Sequence, residues 1–184
     1  MNGILLAVTA LAAVNPFRLR GGVPEGPSGT ARLGPLVGGA ALGLAVLIGL
    51  AVASGPFLEA IEVTPETFRI AAGLVAVAAG IRTVVRPEPG EEPESPGWRA
   101  ALWPVAFPRV VSPEAAALTL TAGSIEGVGA TAVVLAASLV VLVALGVVTR
   151  SGRAVAVLRW LAGLTGVLLV AAGVFLMIDG IRDV

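Results

Sequence analysis

Long apolar runs separated by short polar connections dominate the chain. Each of six runs reaches, or nearly reaches, the ~20 apolar residues that an α-helix needs to cross the hydrocarbon core of a bilayer. They cover residues 3–19, 34–52, 67–85, 100–124, 128–148 and 158–181. The pattern predicts an all-α polytopic membrane protein with six transmembrane helices, numbered here as spans 1 to 6.

The connections between the spans alternate in charge. Arginines flank the first, third and fifth connections, whereas the second and fourth carry glutamates and almost no arginine. The flanking arginines are Arg18, Arg20, Arg32, Arg82, Arg86, Arg99, Arg150, Arg153 and Arg159. Because cytoplasmic loops carry the basic excess, the odd connections are predicted to lie inside the cell and both termini outside.

The most polar stretch, residues 87–97, divides the six spans into two sets of three. Its prolines and glutamates do not suit a packed core. We interpret it as a cytoplasmic linker between a first three-helix repeat at residues 1–86 and a second at residues 98–184. Three spans on each side give the two halves opposite orientations in the membrane, which predicts an inverted repeat.

Two sequence echoes relate span 3 to span 6. RIAAGL at residues 69–74 resembles RWLAGL at residues 159–164, and GIR occurs at residues 80–82 and again at 180–182. The first echo has a spacing of 90 residues and the second a spacing of 100. Transporters built from inverted repeats bind their substrate near the midplane, where broken helices of the two halves meet.

Span 4 carries features that a helix exposed to lipid tolerates poorly. Each proline in it removes a backbone donor and clashes with the preceding turn, and charges within an apolar run usually face a protein-lined interior. These residues are Pro104, Pro108, Arg109, Pro113 and Glu114. Non-helical backbone at membrane depth persists only where protein or a cavity covers it. We therefore expect a broken helix that lines a covered site, with Pro104 and Pro108 as helix-breaking residues.

Two x-Pro motifs, Asn15-Pro16 in span 1 and Ser112-Pro113 in span 4, occupy related positions in the two halves. Asn and Ser are preferred N-caps and Pro is preferred at the first helical position, so each motif predicts the start of a new half-helix. The amides at such a start suit an anion. Glu114 complicates this, because it either pairs with Arg109 to hold the break or binds a cation or proton in a wet cavity. The candidate binding residues are Asn15, Pro16, Arg109, Ser112, Pro113 and Glu114.

Composition narrows the available chemistry. The chain is 57% hydrophobic and only 13% charged, whereas soluble domains carry about 25% charged residues. Its formal net charge is zero, which gives no reason to expect a nucleic-acid partner. The absence of Cys and His excludes disulfides, thiolate chemistry and the commonest zinc ligands. We therefore expect no enzyme activity, no cofactor and no metal site, and we interpret Asp179 as a solvated residue at the end of span 6.

Four stretches of the chain carry a family resemblance. They read AAVNPF at residues 12–17, FRIAAGLVAVAAGIRTVVRPEP at 68–89, LWPVAFPRVVSPEAA at 102–116 and RWLAGLTGVLLVAAGVFLMIDGI at 159–181. Together they resemble the MarC family of six-helix inner-membrane proteins, itself related to the LysE-type exporters. The resemblance implies six helices in an inverted-repeat arrangement, a location in the bacterial inner membrane and a transport role, but no particular substrate.

Carried over by position, the resemblance assigns the central motifs to Asn15, Pro16, Pro104, Pro108, Ser112 and Pro113. The chain departs from the family pattern twice. A Gly-Pro-Gly sequence in the family corresponds to Ser-Pro-Glu here, which places the Glu114 carboxylate where the pattern has a small residue. After Asn15-Pro16 the chain turns to Arg18 and Arg20 instead of an apolar half-helix. We therefore expect an asymmetric site that span 4 mainly provides.

The predicted function is secondary transport, by an exporter or permease, of a small solute or ion bound near the midplane between the breaks in spans 1 and 4. No phosphate-cradling glycine-rich loop with lysine occurs that would indicate nucleotide-driven transport. Two alternatives stay open: a lipid-handling protein or flippase with a lateral opening, and a structural membrane protein in which the prolines only kink helices. The expected partners are the lipid bilayer and the solute, and the interpretation leaves room for a homo-oligomer.

Overall fold

The bundle is built from helices with short turns between them. The computed structural model describes residues 10–13, 33–85, 99, 101–148 and 152–184. We label the helical residues 10–13 as α1, and the further helices are α2 (Leu33–Ala60), α3 (Pro65–Val85), α4 (Pro113–Ile125), α5 (Val128–Val148) and α6 (Gly152–Asp183). Ala101–Val110, called the kinked segment, is a π-helical stretch with non-helical backbone at two residues. The described residues contain no β-strand.

Three helices within the described residues are long and apolar enough to cross a membrane. They are Gly34–Ala60, Pro65–Val85 and Trp160–Asp183, and α5 contributes a shorter apolar stretch at Val128–Val141. A helix satisfies its own backbone N–H and C=O groups, which hydrocarbon cannot do. The predicted all-α membrane class is therefore confirmed. At 13 residues, α4 is about 20 Å long at 1.5 Å per residue, which is shorter than the ~30 Å hydrocarbon core of a bilayer.

The second span is longer than the sequence pattern predicts, because α2 continues into the stretch interpreted as a connection. Leu58 in this extension is buried, so the apolar face of the helix extends to its last turn. The helix then ends in a Schellman motif, in which the N–H of Val63 donates to the carbonyl of Leu58 and the N–H of Glu62 to that of Glu59, both at 3.1 Å. Glu62 has a φ of 55°, the left-handed conformation that glycine usually supplies at this position.

The antiparallel pair α3 and α6 shares the most extensive contact between described helices. A Cβ atom added to Gly73 would lie 2.6 Å from the carbonyl oxygen of Gly173, and one added to Gly173 would lie 2.5 Å from that of Gly73. Gly80 and Gly166 approach each other in the same way, and Gly180 meets the first turn of α3. Small residues let two membrane helices approach this closely, so glycine spacing determines how α3 and α6 pack.

The packing relates α3 to α6 with a register of 100 residues. From residue 69 to residue 82, every position has the same degree of burial as the position 100 residues later, from 169 to 182. The GIR echo has this spacing and coincides with the packing. The RIAAGL echo does not coincide with it, because Ile70 is half-buried and Gly73 is buried, whereas Trp160 is exposed and Gly163 is only half-buried. The similarity of RIAAGL and RWLAGL therefore comes from residue types that are frequent in this chain, and the two sequences do not occupy equivalent positions in the structure.

The helix α2 supports the two pieces of span 4 along its length. A Cβ atom on Gly43 would lie 2.6 Å from the Cβ of Val110, and one on Gly123 would lie 2.7 Å from the carbonyl oxygen of Ala51. The two contacts occur in the same order along α2 and along span 4, so the two segments run parallel to each other. Because α4 begins between these two contact levels, its start lies level with the middle of α2.

The two ends of the bundle differ in the balance of charge among their described residues. One end, called the acidic end, contains the ends of α2, α4 and α6 and the start of α3. It carries two arginines, Arg69 and Arg182, and a larger number of acidic residues: Glu59, Glu62, Glu66, Glu126, Asp179 and Asp183. The opposite end, called the arginine end, carries Arg82 and Arg99. The described part of the chain thus keeps the charge alternation that the sequence pattern shows.

Candidate functional site

The start of α4 is buried within the bundle. Ser112 is its N-cap, with an extended backbone (φ −90°, ψ 159°), and its Oγ accepts a hydrogen bond from the N–H of Ala115 at 3.2 Å. Pro113 takes the first helical turn, as the Ser-Pro motif predicts. Ser112 is 2% exposed and Glu114 is 5% exposed. A carboxylate therefore lies inside a membrane-protein bundle, level with the middle of its longest neighbouring helix.

The interruption of span 4 is spread over three points, each directly before a proline. Trp103, before Pro104, has φ −132° and ψ 118°, and Phe107, before Pro108, has φ −123° and ψ 132°. Ser112 is the third extended residue. A proline ring excludes the preceding residue from the α region and favours extended backbone. The three prolines therefore account for the three extended residues on the path from the kinked segment into α4.

The amides at the start of α4 are largely occupied, which weakens the case for an anion site. The N–H of Ala115 donates to Ser112 Oγ, the N–H of Ala116 donates to the Ser112 carbonyl at 2.9 Å, and Pro113 has no N–H. Three of the first four helical positions thus offer no free donor. The carboxylate of Glu114 already lies at the positive end of the helix dipole. The arrangement suits a cation or an exchanged proton better than an anion.

Buried polar residues are concentrated at and along α4. Of the nine buried polar or charged residues in the described part of the chain, four belong to α4 and its cap: Ser112, Glu114, Thr119 and Thr121. The hydroxyl of Thr121 donates to the Ala117 carbonyl at 2.9 Å, so α4 satisfies part of this polarity itself. The buried face of α4 thus carries polar residues close to the break, whereas the buried residues of α2 are mainly apolar.

An open groove of about 590 Å³ lies at the acidic end of the bundle, between the end of α2, the α2–α3 turn and the end of α4. Its polar lining residues include Ser54, Glu59, Glu62 and Ser124. Ser124 lies in the last turns of α4, about 15 Å along the helix from Glu114 at 1.5 Å per residue. The helix α4 therefore extends from the groove to the buried break.

The structure brings together only part of the predicted site. Ser112, Pro113 and Glu114 meet at the start of α4, and Arg109 lies in the kinked segment just before it. The other predicted motif, Asn15-Pro16, lies outside the described residues. The half of the candidate site that the structure describes is the half contributed by span 4.

Sequence reasoning missed a partly buried ion-pair cluster at the acidic end. Arg69 Nη1 donates to Asp179 Oδ2 at 2.6 Å and to Asp183 Oδ2 at 2.8 Å. Asp179 does lie near the end of span 6 and is partly exposed, but the interpretation as a solvated boundary residue left out its ion pair with Arg69, whose side chain is only 8% exposed. The available signal was the presence of opposite charges near ends of spans 3 and 6 that the charge pattern assigns to the same side.

Comparison with protein families gives one match. The model of the MarC family integral membrane proteins matches residues 38–184, well over half of the chain. No curated protein and no solved structure matches. The matched region contains α3, the kinked segment, α4 and α6, and it does not reach the AAVNPF stretch of span 1.

Proposed function

Because the chain belongs to the MarC family of integral membrane proteins, we propose that it is a secondary transporter of a small solute or ion. The single observation that carries the proposal is the buried start of α4. Ser112 and Glu114 are almost fully covered there, level with the middle of α2. A buried carboxylate beside interrupted helices at this depth is the arrangement that membrane carriers use for substrate and ion binding.

The proposed topology has six spans in two inverted repeats, with the arginine end in the cytoplasm and both termini outside, in the bacterial inner membrane. The matched burial of residues 69–82 and 169–182 supports equivalent roles for α3 and α6 in the two repeats. The opposite charges of the two ends support the orientation. A relationship to LysE-type exporters belongs to the same proposal, as does a broken span 1 around Asn15-Pro16.

The chemistry of the break favours a cation, a zwitterion or an exchanged proton over an anion. The cap and Pro113 leave few donors for an anion, and Glu114 supplies negative charge. The groove at the acidic end adds Glu59 and Glu62 near one mouth of the bundle, where they would raise the local concentration of positive ions. We include in the proposal that the protein is not an enzyme and needs no cofactor or nucleic acid, and that its partners are lipid and solute, with room for a homo-oligomer.

The test is flux into reconstituted vesicles with probes of three charge classes: rubidium ion, glycine and phosphate. Wild-type protein should carry the cation or the zwitterion above the level of protein-free vesicles, and Glu114→Gln should reduce that flux to the protein-free level. The matched control is Glu66→Gln, which removes a carboxylate from the same Pro-Glu context at the partly exposed start of α3. It should leave flux unchanged.

Equal flux in Glu114→Gln and wild type would reject Glu114 as a binding or coupling residue. If folded wild-type protein carries none of the three probes, the structural alternative gains support, because Pro-Glu sequences also simply begin helices, as one does at α3. A lipid-handling role would instead give exchange of labelled phospholipid between leaflets in the same vesicles without solute flux.

A further inference from the structure

The contact between α3 and α6 is tight along its length, and its two ends are closed differently. Near the middle, Gly73 and Gly173 bring the backbones together. Any rearrangement that separates the helices at one end must therefore pivot near this contact or break it. What holds each end consequently determines which end opens more easily.

At the acidic end, Arg69 closes the pair through one nitrogen atom. Its Nη1 binds Asp179 at 2.6 Å and Asp183 at 2.8 Å, joining the first turns of α3 to the last two turns of α6. Hydrogen bonds between charged partners are stronger than those between neutral ones. The side chain of Arg69 is 8% exposed, whereas those of Asp179 and Asp183 are 32% and 51% exposed. Water therefore reaches the carboxylates more easily than the guanidinium.

The same guanidinium carries an unsatisfied group. Arg69 Nε is buried and makes no hydrogen bond to any described residue. A buried donor without a partner costs free energy that contact with water would recover. Two strong hydrogen bonds thus hold Arg69 against the aspartates, and the unsatisfied Nε opposes this closed arrangement. We therefore interpret the cluster as a contact that can open.

At the described positions of the arginine end that match Arg69, Asp179 and Asp183, the residues carry no charge. In the register of 100 residues, Arg69 corresponds to Leu169, and the two aspartates correspond to Ala79 and Thr83. The hydroxyl of Thr83 donates to the carbonyl of Ala79 within its own helix. At these matched positions the two helices thus meet through apolar and small side chains. The matched positions at the two ends of the α3–α6 pair are thus held differently, by ion pairs at the acidic end and by apolar packing at the arginine end.

We propose that Arg69, Asp179 and Asp183 form a latch that keeps the acidic end of the α3–α6 pair closed and must break when that end opens. The latch deepens the proposed transport function, since a carrier with two gates exposes its site to one side at a time. Its asymmetry biases the protein toward the state in which the acidic end is shut. At the matched positions, charged side chains act only at the acidic end, while glycine contacts occur toward both ends.

The test measures distances at the two ends separately in the full chain. The sequence contains no cysteine, so nitroxide labels attach only to introduced cysteines at exposed positions. Thr67→Cys with Ile181→Cys reports the acidic end, and Val84→Cys with Leu164→Cys reports the arginine end. Arg69→Gln should shift the acidic-end distance distribution to longer and broader values and leave the arginine-end distribution unchanged. Arg69→Lys should restore part of the short distance.

The matched control is Arg182→Gln. Like Arg69→Gln it removes one arginine charge from the acidic end, but at an exposed position on α6. It should leave both distributions unchanged. If Arg69→Gln does not fold, Asp179→Asn carries the same expectation with a smaller shift. An unchanged acidic-end distance in the folded variants, or an equal shift at both ends, would overturn the latch. These distances do not depend on solute flux, so failure of the latch is distinguishable from failure of the transport proposal.

Discussion

Two helices of this protein begin with nearly the same sequence in opposite surroundings. Thr64-Pro65-Glu66 begins α3, and Ser112-Pro113-Glu114 begins α4. In both, the hydroxyl of the cap accepts a hydrogen bond from the N–H three residues later, at 3.3 Å for Thr64 and 3.2 Å for Ser112. The cap of α3 is exposed and that of α4 is buried. The motif therefore specifies a helix start, and only its position in the fold makes one of the two a candidate site.

The two starts are also positioned by different means. The start of α3 follows directly from the local turn at the end of α2, in which Glu62 takes the left-handed conformation. The start of α4 depends on distant residues, because the kinked segment before it packs against glycines of α2 such as Gly43. A local device places the exposed cap, and tertiary packing places the buried one. Three pairs of substitutions test this difference.

The largest effect is expected for Gly43→Ala, which should displace the kinked segment. The new Cβ would lie 2.6 Å from the Cβ of Val110, and such overpacking costs about 1–3 kcal/mol of unfolding free energy. The control in the same helix is Gly49→Ala, whose Cβ would meet nothing within 4 Å and should stabilise α2 by about 0.5–1 kcal/mol. Unfolding in mixed detergent and SDS micelles measures both. Equal behaviour of the two variants would remove α2 packing as the support of the buried start.

A smaller effect separates the two caps directly. Ser112→Ala should lower the free energy of unfolding by about 1–2 kcal/mol, because water cannot easily replace the lost partner of the buried Ala115 N–H. Thr64→Ala should cost about 0.5 kcal/mol, since solvent reaches the exposed cap. The same unfolding measurement compares them. A cost for Thr64→Ala as large as that for Ser112→Ala would show that burial does not distinguish the two starts.

The smallest effect concerns the turn before α3. Glu62 has a φ of 55°, which costs a residue with a Cβ about 1 kcal/mol and costs glycine little. Glu62→Gly should therefore be more stable than Glu62→Ala by about 0.5–1 kcal/mol. Both variants remove the same charge from the groove, so the difference in unfolding free energy isolates the backbone. An identical stability of the two would mean that the turn relaxes and does not fix the start of α3.

Part of the fold and of the candidate site follows from local rules in the sequence. The extended residues Trp103 and Phe107 follow from the prolines after them, and the cap at Ser112 follows from the Ser-Pro motif. The charge separation between the ends follows from the alternating loops. The pairing of Arg69 with Asp179 did not follow, because two residues 110 positions apart meet only after helices have packed. The sequence also could not decide whether α3 and α6 are related by a register of 90 or of 100 residues. The repeated sequences at both spacings consist of the residue types that are common in this chain.

The sequence by itself determined that the chain is helical, that its helices suit a membrane, and that span 4 is interrupted before each proline. These are consequences of apolar run length and of backbone sterics, which act within a few residues. The sequence also predicted a covered site along span 4, but only the tertiary structure decided which surfaces cover Ser112 and Glu114. It also decided that α3 and α6 pair through Gly73 and Gly173. Burial and helix register depend on which distant surfaces fit together, and small residues at matching levels supply that fit.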